Sequence, residues 1–149
     1  MINKKPIVLI LNSAHSKYPI GTDSWIQATE KAVHSLAGRP VKMLSSTEPV
    51  MWDIVTALSG KSGMEIILIV KALNNREGQK EFKRLIEEFA LDKNHTSPLY
   101  LGENAVNQPK KLWILRDNLA LKTADVVYPI SIRPSGKLDN LLLNGDFNA

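Results

Sequence analysis

The chain has 149 residues, 44% of them hydrophobic, and no cysteine. That is the length of one domain with side chains enough for a core, and it excludes a disulfide framework, a thiolate zinc site and a cysteine nucleophile. The net charge of +4 and an isoelectric point near 9.3 tilt the protein toward anionic partners, without the charge density of a dedicated nucleic-acid arm.

Residues Pro6 to Leu11 form a continuous, β-branched apolar run, as expected of a strand buried on both faces of a parallel sheet. This run and Ile66 to Val70 are far shorter than the roughly 20 residues that cross a bilayer. The N-terminus lacks the small-residue cleavage site of a secretory signal, so a cytoplasmic protein with no membrane partner is expected.

After the loop Asn12 to Thr22, Ser24 and Gln27 have capping-box spacing. Trp25, Ala28, Ala32, Val33 and Leu36 then recur at helical intervals, and Gly38 supplies a stop. Val41 to Leu44 reads as a second strand. Ser45-Ser46-Thr47-Glu48-Pro49 places hydroxyl caps and a proline before a helix of about Val50 to Leu58.

Gly60 and Gly63 mark a turn, Glu65 to Val70 a third buried strand, and Arg76 to Ala90 a helix with Phe82, Leu85, Ile86 and Phe89 on one face. Ser97 to Leu101 reads as an edge-like strand, Leu112 to Leu115 as strand or helix, Arg116 to Lys122 as helix and Asp125 to Ile130 as another strand. Strands separated by amphipathic helices imply one α/β domain over residues 1–149: a Rossmann-like open, mostly parallel sheet with helices on both faces. Ligands are then expected at the carboxyl ends of the strands.

The loop after the first strand holds Ser13, His15, Ser16, Lys17 and Thr22 where such domains place phosphates. It lacks both G-x-G-x-x-G and G-x-x-x-x-G-K-[ST]. Ser45, Ser46 and Thr47 stand at a second helix start, where capping alone also accounts for them. His15, His34 and His95 have no short metal-ligand spacing, and no G-x-S-x-G elbow precedes a helix. After the last strand come Arg133, Ser135, Gly136 and Lys137, two cations and a glycine suited to a phosphate.

The order of Arg116, a short helix, an apolar strand and Ser135-Gly136 resembles the segment around the Arg-Asn-Arg and Ser-Gly motifs of the DNA-processing protein A family, Rossmann-like binders of single-stranded DNA. Arg116 stands at the family's first arginine and Asn118 at its second. Upstream, Leu11-Asn12-Ser13-Ala14 stands at its Val-Gly-Ser-Arg, and Leu44-Ser45-Ser46 through Trp52-Asp53 at its Ser-Gly-Gly-Ala and Gly-Ile-Asp. Ser13, Ser45 and Asp53 match there, and the glycines and arginine are replaced. The related lysine-decarboxylase-like nucleotide phosphoribohydrolases carry Pro-Gly-Gly-x-Gly-Thr-x-x-Glu after the corresponding strand. Pro134 to Asp139 lacks their Gly-Thr and catalytic glutamate.

The resemblance implies a noncatalytic protein that binds single-stranded nucleic acid or a nucleotide through Ser13, Lys17, Ser45, Arg116, Arg133, Ser135, Gly136 and Lys137, with no cofactor or metal. One rival reading is a diverged nucleoside-monophosphate hydrolase using Asp53 or Asp139. The other is an assembly domain with an exposed apolar patch at Trp52 or Trp113. A homo-oligomer is compatible with each.

Overall fold

A computed structural model describes residues 4–13, 24–101, 109–132 and Leu142. Its strands are β1 (Ile7–Asn12), β2 (Lys42–Ser45), β3 (Glu65–Val70), β4 (Thr96–Tyr100) and β5 (Val126–Ser131). Its helices are α1 (Ser24–Leu36), α2 (Val50–Lys61), α3 (Asn75–Glu88) and α4 (Leu112–Thr123), the last preceded by a 3-10 turn at Pro109–Lys111. The strands form one sheet in the order β4-β3-β2-β1-β5, and every neighbouring pair is parallel. The architecture is the expected open, Rossmann-like α/β sheet.

Side-chain alternation along the strands sorts the helices into two layers. Val8, Ile10 and Met43 pack with Val33 and Leu36 of α1 and Val55 of α2, and Ile66 and Leu68 pack with Leu85 of α3. Leu9, Leu11, Leu44 and Ile69 face the other way, onto Ala120 and Leu121 of α4. Helices therefore cover both faces, and the strands between them are apolar on both sides, which is why they read as continuous apolar runs.

Local signals place most element ends. Gly38 and Gly63 hold φ of 84° and 70° after α1 and α2, a left-handed conformation that glycine adopts without a Cβ clash. Asn74 caps α3 by accepting the Glu77 N–H at 2.9 Å. The ambiguous Leu112 to Leu115 belongs to α4, and the edge-like fourth strand does lie at a sheet edge, beside β3. No helix among the described residues is long and apolar enough to cross a membrane.

One expectation is corrected. Trp52 is not part of an exposed patch: it is 1% exposed, in a cluster with Leu9, Leu11, Leu44 and Trp25. Its place in the first turn of α2 carries the ring over the strand ends, where both helical layers meet. Among the described residues the large exposed apolar side chains are Val126 and Tyr128, both on β5. Trp113 is half-buried.

Candidate functional site at the carboxyl ends of the strands

From β1 the chain steps outward through β2 and β3 to β4, then returns to place β5 on the other side of β1. The carboxyl ends of β1 and β5 therefore lie side by side at the point where strand order reverses, the position at which open α/β sheets hold ligands. Ser13 lies there, its N–H donating to the Ser131 carbonyl at 2.7 Å. The pairing register shifts by one residue between Leu11 and Asn12, so Leu11 stands opposite Pro129 and Asn12 opposite Ser131. Such a bulge re-aims the backbone as it leaves the sheet.

Asn12 is buried beneath this junction and its Nδ2 donates to Thr29 Oγ1 at 2.9 Å. Thr29 spends its own proton on the Trp25 carbonyl at 2.7 Å, which fixes it as the acceptor. Among the described residues, the buried Asn12 Oδ1 has no partner. An unmade bond on a buried acceptor costs about 1–3 kcal/mol.

The next strand end is occupied by the protein's own groups. Ser45 is fully buried and its hydroxyl meets Thr56 Oγ1 at 2.6 Å, while Thr56 donates to the Ser46 carbonyl at 2.5 Å. Ser46 Oγ donates to the Ile69 carbonyl at 2.8 Å, tying β2 to β3. These hydroxyls fasten a helix and two strands rather than capping α2, whose N-cap position is Pro49 and which has no side-chain cap bond. Asp53 Oδ1 instead accepts the Glu48 N–H at 3.0 Å, a carboxylate at a helix N-terminus that complements the macrodipole. Replacing Thr56 with valine removes the hydroxyl and leaves the Ser46 carbonyl and Ser45 hydroxyl unpaired. A urea melt should read a loss of about 1–3 kcal/mol, and an unchanged midpoint would refute this role.

Arg116 binds the same turn from the α4 side. It is 1% exposed, and its Nη1 donates to the carbonyls of Thr47 at 3.0 Å and Glu48 at 2.9 Å. Its Nε donates to Asp117 Oδ1 at 2.7 Å, and the guanidinium carbon lies 4.6 Å from the centre of the Trp52 ring. Burial pulls the guanidinium's pKa below its ordinary value, and Asp117 opposes that shift. A planar fork serving two carbonyls, a carboxylate and an aromatic face is a role lysine cannot fill.

Lys71 is a residue at this rim that the sequence reading did not single out. It follows the last residue of β3, as Ser13 follows β1, and scanning every strand end for cations would have found it. Half-buried, it donates from Nζ to the Glu48 carbonyl at 3.3 Å. Burial first, then the Arg116 charge, lowers its pKa, while Glu48, Asp53 and Asp117 act in the opposite sense.

Of the residues expected at the site, Ser13, Ser45 and Arg116 come together on this rim. Lys17, Arg133, Ser135, Gly136 and Lys137 lie outside the described residues, as does Asp139. The described residues also line a concavity on the opposite rim, of about 220 Å³, bounded by Lys5, Arg39, Glu65 and His95. There Lys5 bonds to Glu65 and holds its carboxyl below the usual range. Helices α1 and α2 end near that concavity, at Gly38 and Ser62, so their carbonyl ends oppose an anion. Comparison with family models, curated proteins and solved structures finds no match to this chain.

Proposed function

We propose that the rim at the carboxyl ends of β1, β2 and β5 binds a phosphate-bearing ligand, single-stranded nucleic acid or a nucleotide, without catalysing a reaction. The supporting observation is the reversal of strand order at β1 and β5, where Ser13 is bonded to Ser131. The segment with Arg133, Ser135, Gly136 and Lys137 begins two residues after Ser131, and the resemblance to the DNA-processing protein A family points to the same ligands. In this reading Ser45 and Arg116 frame the rim, and Ser13, Lys17, Arg133 and Lys137 meet the ligand with the Ser135-Gly136 backbone. Asp53 Oδ1 accepts the Glu48 amide, a structural bond that accounts for its position without a catalytic role.

Phosphate contacts release counterions, so binding of single-stranded DNA should weaken steeply with salt. Arg133→Ala combined with Lys137→Ala should flatten the log–log slope by about one per lost contact. An unchanged slope would remove these two residues from the interface.

A further inference from the structure

The Glu48 carbonyl accepts two cationic donors, Arg116 Nη1 at 2.9 Å and Lys71 Nζ at 3.3 Å. Two nitrogens bonded to one oxygen stand no further apart than those two lengths laid end to end, so the guanidinium and the lysine head group are close neighbours. The Arg116 charge is fixed: the side chain is sealed from solvent and paired with Asp117. Lys71 is half-buried, and among the described residues no carboxylate lies within ion-pair distance of it. Asp53 is engaged with the Glu48 amide, Glu81 of α3 with Arg84, and the Glu48 side chain is exposed. Lys42 is the other half-buried lysine among the described residues, and it stands on the opposite rim, at the amino end of β2.

Partial desolvation and a neighbouring fixed cation both favour the neutral amine, the arrangement that turns a lysine into a nucleophile. The pKa of Lys71 is lowered in keeping with this, by burial first and by Arg116 second. The charges that oppose the shift are Glu48 on the turn before α2, Asp53 on α2 and Asp117 on α4, and Glu81 on α3 also feels the lysine. The bond to the Glu48 carbonyl is longer than the usual range, so a neutral amine loses little by leaving it.

We infer that Lys71 is a nucleophilic amine that captures a small aldehyde or ketone bearing a phosphate, as a reversible imine at the carboxyl end of β3. The ammonium first gives its proton to solvent. The nitrogen lone pair then forms a bond to the carbonyl carbon, and the carbonyl oxygen takes up a proton. The resulting carbinolamine expels that oxygen as water, leaving a carbon–nitrogen double bond, and water reverses each step. No oxidant or reductant is consumed. The phosphate preference rests on the anion-binding reading of the rim, whereas the reactivity of the amine rests on Lys71 and its neighbours alone.

Glycolaldehyde phosphate is the probe, and glycolaldehyde is its phosphate-free comparison. Cyanoborohydride delivers hydride to the imine carbon and fixes the adduct as a secondary amine, which peptide mass mapping then locates. The proteins are wild type, Lys71→Met, which keeps the apolar stem, and Lys71→Arg, which keeps the charge, with thermal melts to verify that both variants are folded. With equimolar glycolaldehyde phosphate at neutral pH, Lys71 should carry more label than any other lysine, and that label should be lost in both variants. As pH rises toward about 10.4, the ordinary lysine range, the exposed lysines should catch up. Label that follows exposure at neutral pH, with Lys71 behind the surface lysines, overturns the nucleophile and leaves the anion-binding reading standing. Total lysine label that is unchanged in both variants overturns it equally. Equal labelling of Lys71 by both aldehydes overturns the phosphate preference and leaves the nucleophile standing.

Discussion

Arg116→Met should destabilise the fold by about 3–5 kcal/mol, as removal of one partner from a buried ion pair does. The substitution is close in length and apolar, so the loss comes from the groups it strands rather than from a cavity. Asp117 would keep a buried carboxylate without its guanidinium, and the Thr47 carbonyl would lose its 3.0 Å donor. Lys71 alone would then hold the Glu48 carbonyl, at 3.3 Å. At about 2–4 °C per kcal/mol for a chain of this size, the melting temperature should fall by about 6–20 °C. Arg116→Lys should recover only part of this, because an ammonium cannot serve the turn and Asp117 in the same plane. Calorimetry of the two variants beside the wild type checks the claim. A methionine variant within about 1 kcal/mol of wild type would mean that the turn is held by Ser46 and Asp53 without the arginine.

Trp52→Ala should cost a similar 3–5 kcal/mol for a different reason, the cavity left when a large ring leaves a well-packed cluster. The ring packs with Leu9, Leu11 and Leu44 below the strand ends and lies beneath the Arg116 guanidinium. Trp52→Phe should cost much less. It keeps an aromatic face and discards an indole N–H that is buried without a partner among the described residues. Trp52→Ala and Arg116→Met should also be non-additive, with a coupling of about 1–2 kcal/mol from the desolvated cation over the ring. Denaturant melts of the four members of that cycle measure the coupling, and strict additivity would show that the stacking contributes nothing.

The strands were legible because a parallel sheet covered on both sides demands uninterrupted apolar runs, and Ile7–Asn12 and Glu65–Val70 supply them. Helix α3 was legible because its outer face is densely charged and its inner face carries Phe82, Leu85 and Ile86. Helix α4 was not, because it inverts the rule. Arg116 and Asp117 point inward and are buried, while Leu112, Trp113 and Leu115 are only half-buried, so no apolar stripe marks its core face.

The same inversion affects the reading of the site. Arg116, Ser45 and Asp53 stand out in the sequence as polar residues at promising positions, and each is bonded to the protein's own backbone or hydroxyls. A sequence reports which groups are polar but not whether their bonds are already made. Lys71 escaped notice because the strand ends were read for hydroxyls and glycines, and a lysine after an apolar strand resembles ordinary surface charge. The side-by-side placement of the carboxyl ends of β1 and β5 depends on strand order, which no local pattern encodes.

Amide chemical-shift mapping with a single-stranded oligonucleotide tests the central claim most directly. Binding at the proposed rim should perturb Asn12, Ser13, Glu48, Lys71 and Ser131 together, leaving the opposite end of the sheet unmoved. Perturbations centred on Lys5, Arg39, Glu65 and His95 would place the anion surface at the amino ends of the strands and contradict the account.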